Sequence, residues 1–338
     1  MSFRLALDAM GGDYAPEEIL KGIQEYQGEK CEFLLVGPQG ILEKELSVIS
    51  LKGKDFSLVP AEEIVSMNEV PSLSLRKKNS TIQVGLRLVA ENEANAFISA
   101  GNTGAIMAAS IIILGTLPGL KRPPLAVPLP GKTRPVLLLD AGANVDCSPQ
   151  QLLQFALLAD QYYRLSFGIE SPRIALLSNG EEPSKGNSLI KEAFPLFEKS
   201  SLNFVGNLEA RDFFSQKGEI FVADGFPGNI ALKAMEGVGE EILSRLKQGI
   251  SRNLRFKLGG LLLKPLFSSI LKGFDYSEVG AAPLLGINGL VLVCHGRSRA
   301  RAIKNSITQA IELLEKNTVG KLKDLLEKDS QGGEMTNG

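Results

Sequence analysis

Short runs that are apolar on both faces, such as VLLLD (136–140) and IALLS (174–178), recur along this chain between helix-like segments. A strand that is hydrophobic at every position needs cover above and below, as central parallel strands have. Strand patterns fall at Arg4–Ala9, Glu32–Val36, Phe56–Val59, Ala96–Ser99, Pro135–Asp140, Arg173–Ser178, Glu219–Ala223 and Leu290–Cys294. Helical patterns fall at Pro16–Gln27, Thr81–Asn92, Thr103–Leu114, Pro149–Arg164, Asn187–Lys199, Gly228–Ile250 and Arg299–Glu315. Ser148, Pro149 and Gln151 supply a cap, a first-turn proline and a capping-box partner. The alternation predicts an α/β protein with a doubly wound three-layer α/β/α sheet rather than an eightfold barrel. The proline-rich stretch 122–135 breaks the rhythm and predicts an edge strand or crossover.

With 338 residues the chain can bury a large core. Residues 1–320 are expected to form one catalytic unit of two subdomains around a central cleft, with 251–274 a basic amphipathic helical insertion, 321–338 a polar C-terminal tail and 327–338 its frayed end. Lys and Arg number 37 against 38 Asp and Glu, a net charge of -1, so no overall field draws nucleic acid. Cys31, Cys147 and Cys294 are far apart, which fits a reducing cytoplasm and disfavours disulfides or a zinc cluster. Strand-like sequence begins at once after Met1, leaving no stretch for a signal peptide. The most apolar helical stretch, 105–117, is too short to span a bilayer.

Six strands end in small or polar residues: DAMGGD (8–13), SAGNTGA (99–105), DAGAN (140–144), SNGEEPSKGN (178–187), ADGFPGN (223–229) and CHGRS (294–298). One such tip can be an ordinary tight turn. Six of them, carrying Asn, Asp, Lys and His, predict a shared cleft at the carboxyl ends of the strands, where ligands bind. Helix N-termini there offer free N–H groups and a positive dipole end to an anion. Candidate phosphate contacts are Lys78 and Ser80 at one helix start, and Gly101, Asn102, Thr103 and Gly104 at the next. Asn144, Asn179, Asn187, Asp224 and Gly225 extend the set to the other tips. Gly11 and Gly12 would bring backbone close to the ligand, with Asp8 orienting neighbouring groups. Lys185 and the lone histidine, His295, are the candidate reactive side chains; a surface ion pair with Glu181 or Glu182 and a structural hydrogen bond are their respective alternatives.

No GxGxxG follows a strand, and PGKT (130–133) has Ala126 where a P-loop needs its first glycine. A single histidine allows no histidine metal cluster, and no cofactor is indicated. Carboxylate ligation of a metal has no tight-spacing signal.

DAMGGDYAP (8–16), the run RKKNST through SAGNTGA (76–105), LLSNGEEPSKGN (176–187), DGFPGN (224–229) and DYSEVG through KNSI (275–307) occur in an order that resembles the bacterial acyl-(acyl carrier protein):phosphate acyltransferases. Tyr14 stands where relatives often have histidine, which argues against an obligatory imidazole there. The resemblance implies a fold like that of isocitrate and isopropylmalate dehydrogenases and phosphotransacetylases, with two intertwined subdomains and a homodimer. It also implies transfer of a long acyl chain from acyl carrier protein to inorganic phosphate, the acyl phosphate feeding a membrane glycerol-3-phosphate acyltransferase. On that reading Lys185, Asn102, Thr103 and Gly104 hold phosphate and the developing oxyanion, while Asn187, Asn229 and His295 position substrate or protonate the thiolate. A short-chain phosphotransacetylase, a nicotinamide-dependent decarboxylating dehydrogenase and a non-catalytic membrane scaffold are the alternatives.

Residues 251–273 contain five basic residues and no acidic one. Beyond Pro265, Leu266, Phe267, Ile270 and Leu271 share one helical face. A buried helical pair, a dock for an acidic carrier protein and a membrane-surface contact are all compatible with this pattern. The membrane reading makes the protein cytoplasmic with peripheral attachment. It predicts that polar replacements at Leu266, Phe267 and Ile270 weaken binding to anionic lipid vesicles in a sedimentation assay. Undiminished binding by a folded variant would eliminate it.

Overall fold

The computed structural model describes residues 2–28, 30–251, 253–263 and 280–334. In the first sheet β1 (Phe3–Asp8) pairs in parallel with β2 (Cys31–Gly37) and β4 (Ala96–Ser99). Beyond β2 lies β3 (Asp55–Pro60), and beyond β4 lie β11 (Leu290–Val293) and antiparallel β10 (Ala282–Pro283). The second sheet runs β5 (Val127–Leu129), β6 (Val136–Leu139), β9 (Ile220–Val222), β7 (Ile174–Leu177) and β8 (Phe204–Leu208). The edge strand expected in the proline-rich stretch is β5, antiparallel to β6. The chain leaves the first sheet after α5 (Thr103–Ile113), builds the second, and returns for β10 and β11, so the halves are intertwined.

The two sheets meet at their edges. Leu125 bridges Leu284 in antiparallel fashion, and the Ala126 N–H donates to Pro283 O at 3.1 Å. Three successive antiparallel pairings, β11 with β10, Leu284 with Leu125, and β5 with β6, set the parallel strands of one sheet against those of the other. The strand tips consequently fall into two groups on different rims rather than along one.

Period-two alternation decides how the layers are filled. Leu5, Leu7, Leu137, Leu139, Leu290 and Leu292 point into one continuous core that covers both sheets. Helices α1 (Glu17–Glu25), α6 (Pro149–Phe167), α7 (Ser188–Glu198) and α10 (Ala300–Glu315) close that face. The intervening residues point the other way into two separate cores. Ala6, Phe97, Val291 and Val293 pack with α4 (Thr81–Ala90) and α5, while Leu138, Ala175 and Phe221 pack under α8 (Gly225–Ser251). One face therefore joins the halves and the other leaves them divided.

α6 starts with the expected Ser148–Gln151 capping box and stops at Gly168 in the left-handed conformation (φ 68°). β8, β10, α2 (Gln39–Leu46) and the four-residue α3 (Pro71–Ser74) have no counterpart in the sequence pattern, whereas α9 (Leu254–Leu262) falls within the expected helical insertion. Leu266, Phe267, Ile270 and Leu271 lie outside the described residues. Among the described residues no helix is long and apolar enough to cross a membrane.

Where a polar tail is expected from residue 321, the structure has a helix, α11 (Thr318–Glu334), which follows α10 after one short turn. Its low mean hydropathy hides Leu322 and Leu326, one helical step apart, which are each 3% exposed and join the shared core. Truncating either to alanine is expected to lower unfolding free energy by about 2–4 kcal/mol. Urea denaturation measures this, and a loss under about 0.5 kcal/mol would mean that α11 is not docked.

Candidate functional site

At the first rim the tips of β1, β4 and β11 lie side by side. Asp8, the last residue of β1, turns inward rather than toward a ligand. Its carboxylate accepts from Ser99 Oγ at 2.7 Å and the Met10 N–H at 3.1 Å, and Ser99 Oγ in turn accepts from the Gly101 N–H at 3.0 Å. Burial pushes the Asp8 carboxyl up, against the lowering effect of these donors. The Gly11 N–H donates to Asp8 O at 3.3 Å. Gly12 has φ 98°, and a Cβ there would lie 3.0 Å from Gly296 O. That close approach lets the Asp13 N–H donate to Gly296 O at 2.8 Å, joining the first tip to the last. Tyr14 carries the Arg299 guanidinium over its ring, 3.5 Å from the centroid.

Asn102 is buried and its amide is fully engaged. Oδ1 accepts from the Ala105 N–H at 3.0 Å, capping α5. Nδ2 donates to Ser66 O, Met67 O and Glu69 O at 3.1, 3.0 and 2.9 Å. Thr103 and Gly104 remain half-buried on the first turn. Ser80 caps α4, accepting from the Gln83 N–H at 3.4 Å, and Lys78 is exposed.

The second rim repeats the device. Asp140 directly follows β6, much as Asp8 ends β1, and accepts from the N–H groups of Leu125, Ala143 and Asn144 and from Asn144 Nδ2. Burial pushes its carboxyl up to about 6. Asn144 is buried and also donates to Pro123 O at 2.9 Å. Asp224 accepts from the Cys147 N–H at 2.8 Å and the Phe226 N–H at 2.9 Å, and Gly225 N–H donates to Asn144 O at 2.8 Å. In the β7 loop Asn179 Oδ1 accepts from the Gly186 N–H at 2.9 Å, and Asn187 caps α7 through the Ile190 N–H at 3.0 Å. Lys185 is exposed, and among the described residues it forms no ion pair; Glu181 pairs with Lys217 instead.

α8 connects the rims. Asn229, Lys233, Glu236 and Glu240 recur at helical spacing on one face. Asn229 packs on Gly142 of the second rim. Seven residues on, about 10 Å at 1.5 Å per residue, Glu236 Oε1 stands 3.9 Å from His295 Nε2 of the first rim. Lys233 holds Glu236 at 2.7 Å, and Arg297 pairs with Glu240 at 2.8 Å. The Arg297 N–H donates to His295 Nδ1 at 3.1 Å, placing the neutral ring's proton on Nε2. Burial lowers the pKa of His295 and favours that neutral form.

The helix caps sort the possible anion sites. At α10 the Ala300 N–H donates to Glu18 Oε2 at 2.7 Å, and at α8 the cap is Asp224. Both caps place a carboxylate where an anion would sit. α5 and α7 have neutral amide caps, with Thr103, Gly104 and Lys185 beside them, and these ends suit a dianion. Burial pushes the thiols of Cys31, Cys147 and Cys294 up to about 11, 12 and 11, away from thiolate chemistry. Of the predicted residues, Asp8, Gly101 and Asn144 hold the turns and Asn102 and Asn187 cap helices; Thr103 and Gly104 lie half-buried on the first turn of α5, Lys185 is exposed, Asn229 packs on Gly142 and His295 stands beside Glu236 of α8. The roles of Ser99 and Glu236, and of Glu18 at the start of α10, have no local signal because each acts across elements distant in sequence.

A fold of this kind, two α/β halves sharing one core face, is that of the phosphotransacetylases and their structural kin. The chain is similar to a phosphotransacetylase from Streptococcus pyogenes (TM-score 0.61, 18% identity, 92% of this chain and 94% of the other). It is also similar to the EutD phosphotransacetylase from Staphylococcus aureus (TM-score 0.57, 17% identity, the same coverage). The family model "Fatty acid synthesis protein" matches residues 3–321. Proteins named phosphate acyltransferase from Carboxydothermus hydrogenoformans (94% of this chain, 97% of the relative) and Halothermothrix orenii (97% and 100%) are each 45% identical to it. The chain belongs to this family and is an acyltransferase.

The raised Asp140 pKa fixes a pH dependence. Between about pH 4 and 6 the folded carboxyl holds a proton that the unfolded one, near 3.9, has released. Asp140 therefore withdraws stability as pH rises through that window. Compared with Asp140→Asn, the unmodified protein should lose stability between pH 4.5 and 7 in urea titrations. A constant gap would refute the shift.

Proposed function

We propose that this protein transfers the acyl group of an acyl-(acyl carrier protein) thioester to inorganic phosphate. The observation that carries the reading is the 45% identity, over nearly the whole chain, to relatives named phosphate acyltransferase. The cleft chemistry suits it. Hydrogen phosphate attacks the thioester carbonyl, the C–S bond breaks as the C–O bond forms, and the phosphate's proton ends on the released thiol. No covalent acyl-enzyme is needed. What is needed is an anion site, orientation and charge stabilisation at the carbonyl oxygen.

Lys185 with Asn187, and Thr103 with Gly104 on the Asn102-capped helix, are the proposed phosphate and oxyanion contacts. Asn229 on α8 positions the thioester. His295, kept neutral, serves as a hydrogen-bond donor from Nε2 and not as a proton source. Residues 251–273 are proposed to meet an acidic carrier protein or the membrane surface, with the acyl phosphate passing to a membrane glycerol-3-phosphate acyltransferase. A homodimer through α8 is supported by Phe226, Ile230, Val238, Ile242 and Leu246, 36–62% exposed at steps of four or eight residues.

Purified protein given long-chain acyl carrier protein and phosphate, with hydroxylamine as trap, should yield a long-chain hydroxamate. Product only from acetyl-coenzyme A would favour a phosphotransacetylase, and no product would leave a non-catalytic role. Lys185→Ala should lower kcat/KM at least tenfold, as loss of one such donor does; near-normal turnover would remove Lys185 from the site.

A further inference from the structure

We infer that residues 61–74 form a rail that holds the apolar chain of the acyl donor beside the first rim. The inference deepens the function proposed above and rests on it. Ile64, Met67, Val70 and Leu73 recur every third residue and are 39, 40, 54 and 47% exposed. Four large apolar side chains in ten residues, all turned outward, are unusual on a strap that is otherwise firmly fastened.

The fastening is polar and faces inward. Asn102 Nδ2 shares its two hydrogens among the carbonyls of Ser66, Met67 and Glu69. Lys77 Nζ donates to Ile64 O at 2.9 Å and pairs with Glu69 at 2.7 Å. Pro71 packs on Gly104 at the start of α5, where only a glycine leaves it room. Strap and candidate anion site thus share Asn102 and Gly104.

Continuity with the cleft names the occupant. Met67 lies over Gly296, so that a Cβ at 296 would stand 2.6 Å from the Met67 methyl, one residue from His295. A thioester carbonyl held between the Thr103–Gly104 turn and His295 would have its alkyl chain leave across Met67. Val70 and Leu73 continue the apolar track. A phosphate or a phosphopantetheine arm gains nothing from these side chains; a hydrocarbon chain does, by about 0.8 kcal/mol for each buried methylene.

The test compares donors of two lengths on the full protein. For Met67→Ser/Leu73→Ser, the ratio of kcat/KM for hexadecanoyl over octanoyl carrier protein should fall about tenfold. Met67→Leu should return the ratio toward that of the unmodified protein. Circular dichroism and light scattering accompany each variant, with Leu73→Ser alone measured if the double variant is unfolded. An unchanged ratio in folded, active variants overturns the rail and leaves the activity standing. A drop in molecular mass with the ratio unchanged makes the patch a self-association face and also overturns it. Absence of acyl phosphate from the unmodified protein with either donor overturns the underlying function, and the rail with it.

Discussion

The continuous apolar layer beneath both sheets is the constraint on which the rest of this molecule depends. Leu5, Leu7, Leu137, Leu139, Leu290 and Leu292 all place their side chains in it, although they come from three distant stretches of chain. Burial of that face fixes the halves against each other, because hydrophobic contact holds wherever surface is shared. The opposite face is filled in two separate pieces, so the division between the halves is a consequence of strand register. Shifting any of these strands by one residue would exchange the faces.

Two buried carboxylates translate that packing into loop geometry. Asp8 and Asp140 each terminate an apolar strand and gather N–H groups from the turn that follows. A buried carboxylate is costly unless its oxygens are satisfied, so the surrounding donors are drawn into fixed positions. Glycine is required where these turns touch, as at Gly12 against Gly296. The turns at the rims are thus held by hydrogen bonds within the protein itself. α8 then carries one polar face from Asn229 to Glu240 across the gap, tying His295 and Arg297 of one rim to the helix that begins at the other.

Much of the fold was legible because parallel strands and their covering helices leave a local imprint. The runs at 4–9, 136–140 and 290–294 read as strands since every residue in them but Arg4 is buried. β10, with two residues, and α3, with four, are too short to show any period. α11 was misread because its two buried leucines sit among Lys, Asp and Glu. At the site, the tip residues were legible from composition, but their tasks were not. Asn102 looked like a ligand and is a cap and strap anchor, since the carbonyls it holds lie more than thirty residues away.

The sequence by itself determined the α/β class, the helix cap at Ser148, and the family, because each of these is written in local spacing or in motif order. Only the tertiary structure decided that the strand tips divide between two rims, that α8 bridges them, and that Glu18 and Asp224 close two helix ends to anions. Those outcomes turn on strand direction and on pairs of residues up to 282 positions apart. No local pattern encodes such pairs; they exist only once the shared core has set the two sheets in place.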